Sequence, residues 1–283
     1  MIYIIIAILL FSLNNVLWKK NLVSISIALL MTYRSFFTSS LAIGILVYFH
    51  DLTDFNIDQI LKTSLAASLG IIGLFCMLTI FKKASLQWVA IYNLLGIGFT
   101  ILYLWIFKEL DIKSSLFGIS IISIGFFYYV YTNKSTKLKI NLKQHLILIL
   151  MTVCFGTSSI LNWENLNQNI PSIFIIANQE FLVFLCGMTV LFAQKKPEQL
   201  VHKLQKYFNR VIVMSVVIFL GLLFSFVGLE ITNPIISSVL FLASPLTTIL
   251  FSAYFFKEKI KIRDWVSIAI ITFGAFLLHI QTT

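Results

Sequence analysis

Long apolar runs, separated by short polar links, restrict the fold of this chain more than any other feature. The 283 residues are 59% hydrophobic and 11% charged, whereas soluble domains average about 45–50% apolar and about 25% charged residues. The apolar residues are gathered into runs of about 20, the length that a helix needs to cross the hydrocarbon core of a bilayer. The sequence therefore predicts an all-α integral membrane protein.

Ten membrane spans account for nearly the whole chain and leave no room for a soluble domain. The longest link between spans, residues 194–210, is basic, and residues 51–60 mix acidic with apolar side chains, as expected of a segment at the membrane interface. The predicted spans are roughly 2–18, 27–49, 61–81, 86–107, 114–132, 144–163, 171–193, 211–229, 234–256 and 264–280.

Lysine and arginine are distributed unevenly between the links. Seventeen of the 21 lie in odd-numbered links and three lie in or beside even-numbered links, while Arg34 falls inside a span. Cytoplasmic links carry the excess of positive charge, so the count places both termini outside. Because the net charge of +10 is explained by these links, it gives no reason to expect a nucleic-acid partner.

A four-part signature occurs twice in the sequence. Phe107-Lys108-Glu109 ends one apolar run and Gly125 follows in the next, and Phe256-Lys257-Glu258 with Gly274 repeats this pattern 149 residues later. Five spans per copy is an odd number, so the second copy must enter the membrane from the opposite face. We therefore predict two inverted five-helix repeats, residues 1–139 and 140–283, as in alternating-access carriers.

The repeated residues resemble a known superfamily. Ala84–Gln87 together with the first signature is similar to the third and fourth helices of small multidrug resistance proteins, and Ser244-Pro245 with the second signature resembles the EamA repeat. The chain thus resembles ten-helix, EamA-type members of the drug/metabolite transporter superfamily. That resemblance implies transport of a small metabolite or drug. Phe11 stands where small multidrug resistance proteins carry their proton-exchanging carboxylate, so the resemblance does not extend to that mechanism.

Two charged residues lie inside equivalent spans of the two repeats. Arg34 is in span two and Glu180 is in span seven, and a charge at the centre of a span costs about 2.5–3.5 kcal/mol on insertion scales. Arg34 could hold a carboxylate or phosphate and Glu180 an amine, which together suit a zwitterion such as an amino acid. Alternatively, the two could form a salt bridge between the repeats, or Arg34 could snorkel to the interface. Glu180, beside Asn178 and Gln179, is also the candidate group for coupling to protons.

Other polar and aromatic residues within the spans are candidates for lining a solute site or for hydrogen bonding between helices. Ser159 and Asn162 extend one of these polar stretches in span six. Pro245 interrupts span nine and is the predicted hinge. The remaining candidates for substrate binding are Asn14, Asn15, Tyr92, Asn93, Thr157, Ser158, Asn178, Gln179 and Ser244.

The residues together favour a secondary transporter of the bacterial cytoplasmic membrane. It would move a small organic solute by alternating access, most simply exporting an amino acid or related metabolite, with membrane lipid and protons as the other partners. The alternatives are a flippase for a lipid-linked precursor, an integral membrane enzyme and a structural subunit. An enzyme would need catalytic groups clustered at one depth, and the sequence offers no such cluster, no metal-ligand spacing and no cofactor motif.

Overall fold

The computed structural model describes most of the chain outside the fourth predicted span. Asn93 and most of residues 84–115 lie outside the described residues, so the prediction of a span over 86–107 stays a prediction. The described residues are 1–50, 55–83, 92, 99–100, 103–104, 106–107, 116–132, 141–194, 199–232, 234–241, 243–256 and 262–282.

All regular structure in this described part is α-helical. The described residues form ten helical segments. The eighth and ninth of these together cover predicted span nine. They are α1 (Ile2–Leu22), α2 (Ile27–Phe49), α3 (Ile57–Lys83), α4 (Leu116–Thr132), α5 (Leu142–Asn167), α6 (Ser172–Ala193), α7 (Gln199–Ile231), α8 (Pro234–Phe241), α9 (Ser244–Phe256) and α10 (Ile262–Thr282).

Six of these helices contain a stretch long and apolar enough to cross a membrane. They confirm the prediction of an all-α membrane protein. The six stretches are Ile2–Leu22, Ile27–Phe49, Ile57–Ile80, Leu142–Asn167, Ser172–Ala193 and Tyr207–Ile231.

The basic link predicted over residues 194–210 is shorter than expected, because α7 already begins at Gln199. The sequence from 199 to 210 places Leu200 and Leu204 one turn apart and contains good helix formers such as Gln and Lys. The prediction of a link rests on the positive charges of this segment and overlooks its helical period. The predicted span 211–229 therefore has a charged helical extension at its N-terminal end, where a loop was expected.

Predicted span nine is broken near its middle. Helix α8 ends at Phe241 and α9 begins at Ser244, with Ala243 in a turn whose carbonyl accepts from the amides of Leu246 and Thr247 at 3.1 and 3.0 Å. Pro245 consequently lies in the first turn of a new helix, where its missing N–H costs least. The proline thus lies at the start of α9, and its role as a hinge stays a prediction.

A tight turn joins α5 to α6 and fixes where α6 starts. Asn169 has φ 59°, the left-handed conformation that Asn tolerates better than most residues. The Ile170 amide donates to the Asn165 carbonyl at 3.1 Å and the Asn169 amide to the Leu166 carbonyl at 2.9 Å, which is the Schellman pattern of a helix end. Pro171 then precedes the first residue of α6.

Four pairs of helices make the most extensive contacts: α2 with α6, α4 with α10, α3 with α5 and α1 with α7. Smaller contacts join α2 to α7, α3 to α6 and α1 to α9. Every one of these pairs takes one helix from residues 1–139 and one from residues 140–283. The described core is thus built between the two halves of the chain.

The glycines of the repeated signature lie where α4 meets α10. A Cβ on Gly125 would lie 2.8 Å from Ile270 and Ile271, and a Cβ on Gly274 would lie 2.8 Å from Ile122 and 3.0 Å from Ile121. Gly125 and Gly274 are 149 residues apart, and so are Ile121 and Ile270, and Ile122 and Ile271. Each half therefore presents the same glycine and the same isoleucine pair to the other.

Candidate functional site

Arg34 and Glu180 meet inside the protein, where α2 packs on α6. The guanidinium Nη2 lies 2.8 Å from the carboxylate Oε2, and the two residues are 3% and 2% exposed. Arg34 therefore does not snorkel to the interface. Opposite charges removed from water stabilise one another, and each partner comes from a different half of the chain.

The ion pair is close but poorly directed. Its single hydrogen bond, from Arg34 Nη1 to Glu180 Oε1, is 3.4 Å long. Although Nη2 and Oε2 are within ion-pair distance, these atoms and Arg34 Nε have no hydrogen bond of good geometry within the described residues. Arginine–carboxylate pairs frequently form two parallel hydrogen bonds. Here Arg34 Nε, which lies outside the ion-pair contact, is a donor that a third group could use.

Glycine lets α2 and α6 approach closely enough for the pair to form. A Cβ on Gly187 would lie 2.5 Å from Thr32 Oγ1 and 3.2 Å from the Thr32 backbone nitrogen. Both residues lie within two turns of the charged pair along their helices. The contact depends on the missing side chain, as in other close helix pairs of membrane proteins.

Helix α7 holds the backbone of α2 beside Arg34. The Ser215 hydroxyl donates to the Arg34 carbonyl at 3.0 Å, and the Thr38 hydroxyl donates to the Ser215 carbonyl at 3.3 Å. Met214, next to Ser215, accepts from the Asn21 amide through its Sδ at 3.6 Å. These buried contacts tie α1, α2 and α7 together at one depth.

An indole ring covers the cation of the pair. Arg34 Cζ lies 5.9 Å from the centroid of the Trp18 ring, within the range of a cation–π interaction. The sequence did not single out Trp18, because a tryptophan followed by Lys19 and Lys20 at the end of a span is typical of an interface anchor. Its spacing from Asn14 and Asn21, at i, i+4 and i+7, was the signal that it faces inward with two polar residues.

Three predicted site residues have their hydrogen bonds satisfied by neighbouring helices. Asn178 Nδ2 donates to Thr63 Oγ1 at 2.7 Å and to Ser64 Oγ at 3.0 Å, so it joins α6 to α3. The Ser158 hydroxyl donates to the Ala66 carbonyl at 2.8 Å. Ser244 belongs to a cluster with Ser12 and Thr247, in which the Ser12 hydroxyl donates to the Ser244 carbonyl at 3.1 Å.

The other predicted candidates for substrate binding are spread over several helices and differ in burial. Asn14 is buried on α1, and its Oδ1 has no hydrogen-bond partner among the described residues. Asn15, Thr157 and Gln179 are half-buried. Tyr92 is buried near the start of α5, where its hydroxyl lies 2.5 Å from His145 Nδ1 and its carbonyl accepts from Thr152 at 3.0 Å.

A shallow groove of about 350 Å³ lies along the outer part of α2. One of its lining residues, Ser40, donates its hydroxyl to the Phe36 carbonyl at 2.8 Å. The groove does not include Arg34. Its lining residues are Ser40, Leu41, Gly44, Ile45, Tyr48 and Phe49.

No metal centre is formed by the described residues, among which no three His, Cys, Asp or Glu side chains come together. Cys76, Cys154 and Cys186 have free thiols. The chemistry available at the centre of the described helices is therefore that of one guanidinium, one carboxylate, amides and hydroxyls.

Long apolar helices that enclose a buried pair of opposite charges define a polytopic helical membrane protein with a polar centre. Residues 142–280 match the model of the EamA-like transporter family. The second half of the chain thus belongs to the EamA-like transporter family, which confirms the resemblance and implies a membrane transporter of small solutes. No curated protein gives a significant match to the sequence.

A solved crystal structure of another protein has the same fold. It superposes with a TM-score of 0.70 over 99% of this chain and 96% of its own, at 14% sequence identity. At that identity the likeness shows the fold alone. It does extend the shared architecture to nearly the whole chain, beyond the half that the family model matches.

Proposed function

We propose that this protein is a secondary transporter that exports an amino acid or a related metabolite across the bacterial cytoplasmic membrane by alternating access. The observation that carries the proposal is the Arg34–Glu180 pair, which is buried between equivalent helices of the two halves. Intramembrane charges of this kind mark solute and ion pathways more often than structural positions.

The geometry of the pair suits a zwitterionic solute. The solute carboxylate would bind the Arg34 guanidinium, whose Nε and Nη2 have no hydrogen bond in the described part of the chain, and its ammonium would bind Glu180 Oε2. Binding would replace one ion pair by two, so no net charge would be buried. A transporter gains from a site whose charges neutralise each other when the solute has left.

The helix contacts support two inverted repeats, residues 1–139 and 140–283. If α1, α2, α3 and α4 are exchanged with α5, α6, α7 and α10, the contact of α3 with α5 becomes that of α7 with α1, and the contact of α2 with α7 becomes that of α6 with α3. The pairs α2–α6 and α4–α10 map onto themselves. Two-fold symmetry of this kind with an odd number of spans per repeat is the arrangement that lets a carrier open alternately to each side.

Transport by the reconstituted protein tests the proposal. Liposomes would be loaded with glycine, L-leucine, L-phenylalanine, L-lysine, putrescine or ethidium, and efflux would be measured with and without a pH gradient. We expect saturable efflux of at least one amino acid. Arg34→Gln and Glu180→Gln should each slow it more than tenfold, because a hydrogen bond to a charged group contributes about 1.5–3 kcal/mol.

Lys62→Gln supplies the matched control. It breaks an ion pair with Asp58 of similar length, 2.6 Å, on the exposed surface of α3, and should leave efflux unchanged. If Glu180→Gln accumulates solute with an unaltered response to the pH gradient, Glu180 does not couple transport to protons. Saturable movement of lipid-linked precursors alone would favour a flippase and overturn the amino acid proposal.

A further inference from the structure

Asn162 of α5 carries a buried amide that the Arg34–Glu180 pair does not use. We infer that Asn162 is a second recognition residue for the solute's ammonium group, acting together with Glu180. The inference rests on the proposed function and narrows the solute to one with a primary ammonium. Its support comes from burial, from the register of the helices and from the equivalent position in the other half.

The amide oxygen of Asn162 accepts no hydrogen bond from the described residues. The residue is 4% exposed, and its Oδ1 has no partner among the residues that the structure describes. A buried amide oxygen without a donor costs about 1–3 kcal/mol. A solute ammonium at this position would supply the missing donor and remove that cost.

Contacts between α3 and α5 fix the depth of Asn162. The Phe155 ring lies against Gly73, and Ser158 lies against Gly70. A step of three residues towards the C-terminus of α5 therefore corresponds to a step of three residues towards the N-terminus of α3. The two helices are therefore antiparallel, and Asn162, four residues beyond Ser158, is level with Ala66. It also shares the face of Ser158, one turn away.

Glu180 lies at nearly the same depth. Asn178 donates to Thr63 and Ser64 of α3, and Glu180 is two residues further along α6, about 3 Å at 1.5 Å per residue. Asn162 and Glu180 are therefore within about one helical turn of each other in depth. Both approach from helices that pack on α3.

The first half of the chain shows what occupies the equivalent position. There Phe11 lies against Gly221 as Phe155 lies against Gly73. Seven residues after Phe11 is Trp18, which covers the Arg34 cation. Seven residues after Phe155 is Asn162. Where the first half covers its charge with an indole ring, the second half has an amide oxygen at the equivalent position.

The difference between Trp18 and Asn162 has a chemical meaning. A primary ammonium has three N–H donors, of which the Glu180 carboxylate could accept one and Asn162 Oδ1, which has no hydrogen bond in the described part of the chain, another. A trimethylated nitrogen carries the same charge but no donor, so it would satisfy Glu180 electrostatically and leave Asn162 unpaired. Specificity for a free amine follows, since sites that hydrogen-bond a group reject analogues lacking it.

The test compares solutes that differ only in the nitrogen. Efflux from liposomes is measured for the amino acid of the panel that the wild-type protein moves best and for its N,N,N-trimethyl derivative, with wild-type protein, Asn162→Leu and Asn162→Gln. Asn162→Leu should raise the KM of the free amine about tenfold with little change in kcat, and leave the KM of the trimethyl derivative unchanged. Asn162→Gln, which keeps the amide, should recover part of the preference.

Asn21→Leu is the matched control. Asn21 is a buried asparagine whose Oδ1 also has no partner among the described residues, but it lies on α1 beside Met214, and its loss should not alter the preference between the two solutes. If Asn162→Leu cannot be purified, Asn162→Val, which also removes the acceptor, replaces it, with the same expected loss of preference.

Three results would overturn the inference. An unchanged KM ratio would show that the amide does not reach the ammonium, and an equal rise in KM for both solutes would show that the substitution only disturbs packing. Wild-type protein that moves the trimethyl derivative but no free amine would also exclude Asn162 in this role. Wild-type protein that moves no amino acid in either form would remove the proposed function itself, and the inference with it.

Discussion

At the scale of single residues, the Arg34–Glu180 pair dominates the energetics. Burying two charges costs several kcal/mol per ion, and the attraction between them offsets this only when the geometry is good. Here the shortest approach is 2.8 Å, but the hydrogen bonding is incomplete. The pair therefore adds little to the stability of the protein. Removing only one of its two residues would nevertheless be costly, because the other charge would stay buried without a partner.

Removing one partner of this pair should destabilise the protein strongly. Arg34→Gln and Glu180→Gln each leave a buried charge unpaired, which costs about 3–5 kcal/mol, whereas the double variant Arg34→Leu/Glu180→Leu should regain most of that stability. Thermal denaturation in detergent measures the difference. Lys62→Gln, at an exposed pair, should lower stability by no more than about 1 kcal/mol. A double variant no more stable than the single ones would contradict this account.

At the scale of helices, close approach at glycine sets the position of the charged pair. Gly187 of α6 lies against Thr32 of α2, and the nearest atoms include the backbone nitrogen, which a rotamer change cannot move. Gly44, on the outer part of α2, has no heavy atom within 4 Å of where a Cβ would lie. The same substitution therefore has opposite consequences at two positions of this helix pair.

Gly187→Ala should destabilise the protein by about 1–3 kcal/mol, the usual cost of overpacking a close contact. Gly44→Ala should be neutral or slightly stabilising, because alanine favours helix over glycine by about 0.8–1.0 kcal/mol. Denaturation midpoints of both variants, together with efflux, give the comparison. Equal effects at the two positions would mean that α2 and α6 separate easily.

Helix positions were largely predictable from the sequence, while side-chain partners were not. The apolar runs located the helices to within a few residues because hydrocarbon thickness imposes one length on all of them. Charge misled the prediction at 199–210, where a helix continues. The expense of intramembrane charge identified Arg34 and Glu180 and suggested a salt bridge as one alternative. Because hydropathy carries no register, the structure was needed to choose that alternative and to place Trp18 over Arg34.

At the scale of the whole molecule, the two halves meet through reciprocal contacts. Gly125 and Gly274 are each packed against an isoleucine pair of the opposite half, but with one difference. Gly125 faces isoleucine side chains, whereas a Cβ added to Gly274 would also lie 2.8 Å from the Ile122 backbone nitrogen. Side chains can shift where backbone cannot.

Gly274→Ala should therefore lower the denaturation midpoint more than Gly125→Ala, although both glycines hold the same place in the repeated signature. We expect a cost of about 1–3 kcal/mol for Gly274→Ala and a smaller one for Gly125→Ala. Thermal scans of both variants in the same detergent, at one protein concentration, are the appropriate measurement. The reverse order would mean that the α4 backbone at Ile122 yields more easily than the isoleucine side chains of α10.

The charge distribution makes a second whole-molecule prediction. With 17 Lys and Arg in odd-numbered links and three at even-numbered ones, both termini should lie outside the cytoplasm. A C-terminal alkaline phosphatase fusion should be active in bacterial cells and a C-terminal green fluorescent protein dark. A bright fluorescent fusion with inactive phosphatase would place the termini in the cytoplasm and contradict the orientation read from the charge count.

The interruption between α8 and α9 has a consequence for solvation. Irregular backbone at membrane depth survives only where something other than lipid tails satisfies it, and here the Ser12 hydroxyl reaches the Ser244 carbonyl from α1. Thr247 Oγ1 also donates to that carbonyl, at 3.0 Å, so hydroxyls from two helices share one acceptor. Exchanging Ser12 for alanine would therefore remove the donor that comes from α1 and leave the carbonyl to the Thr247 hydroxyl of its own helix.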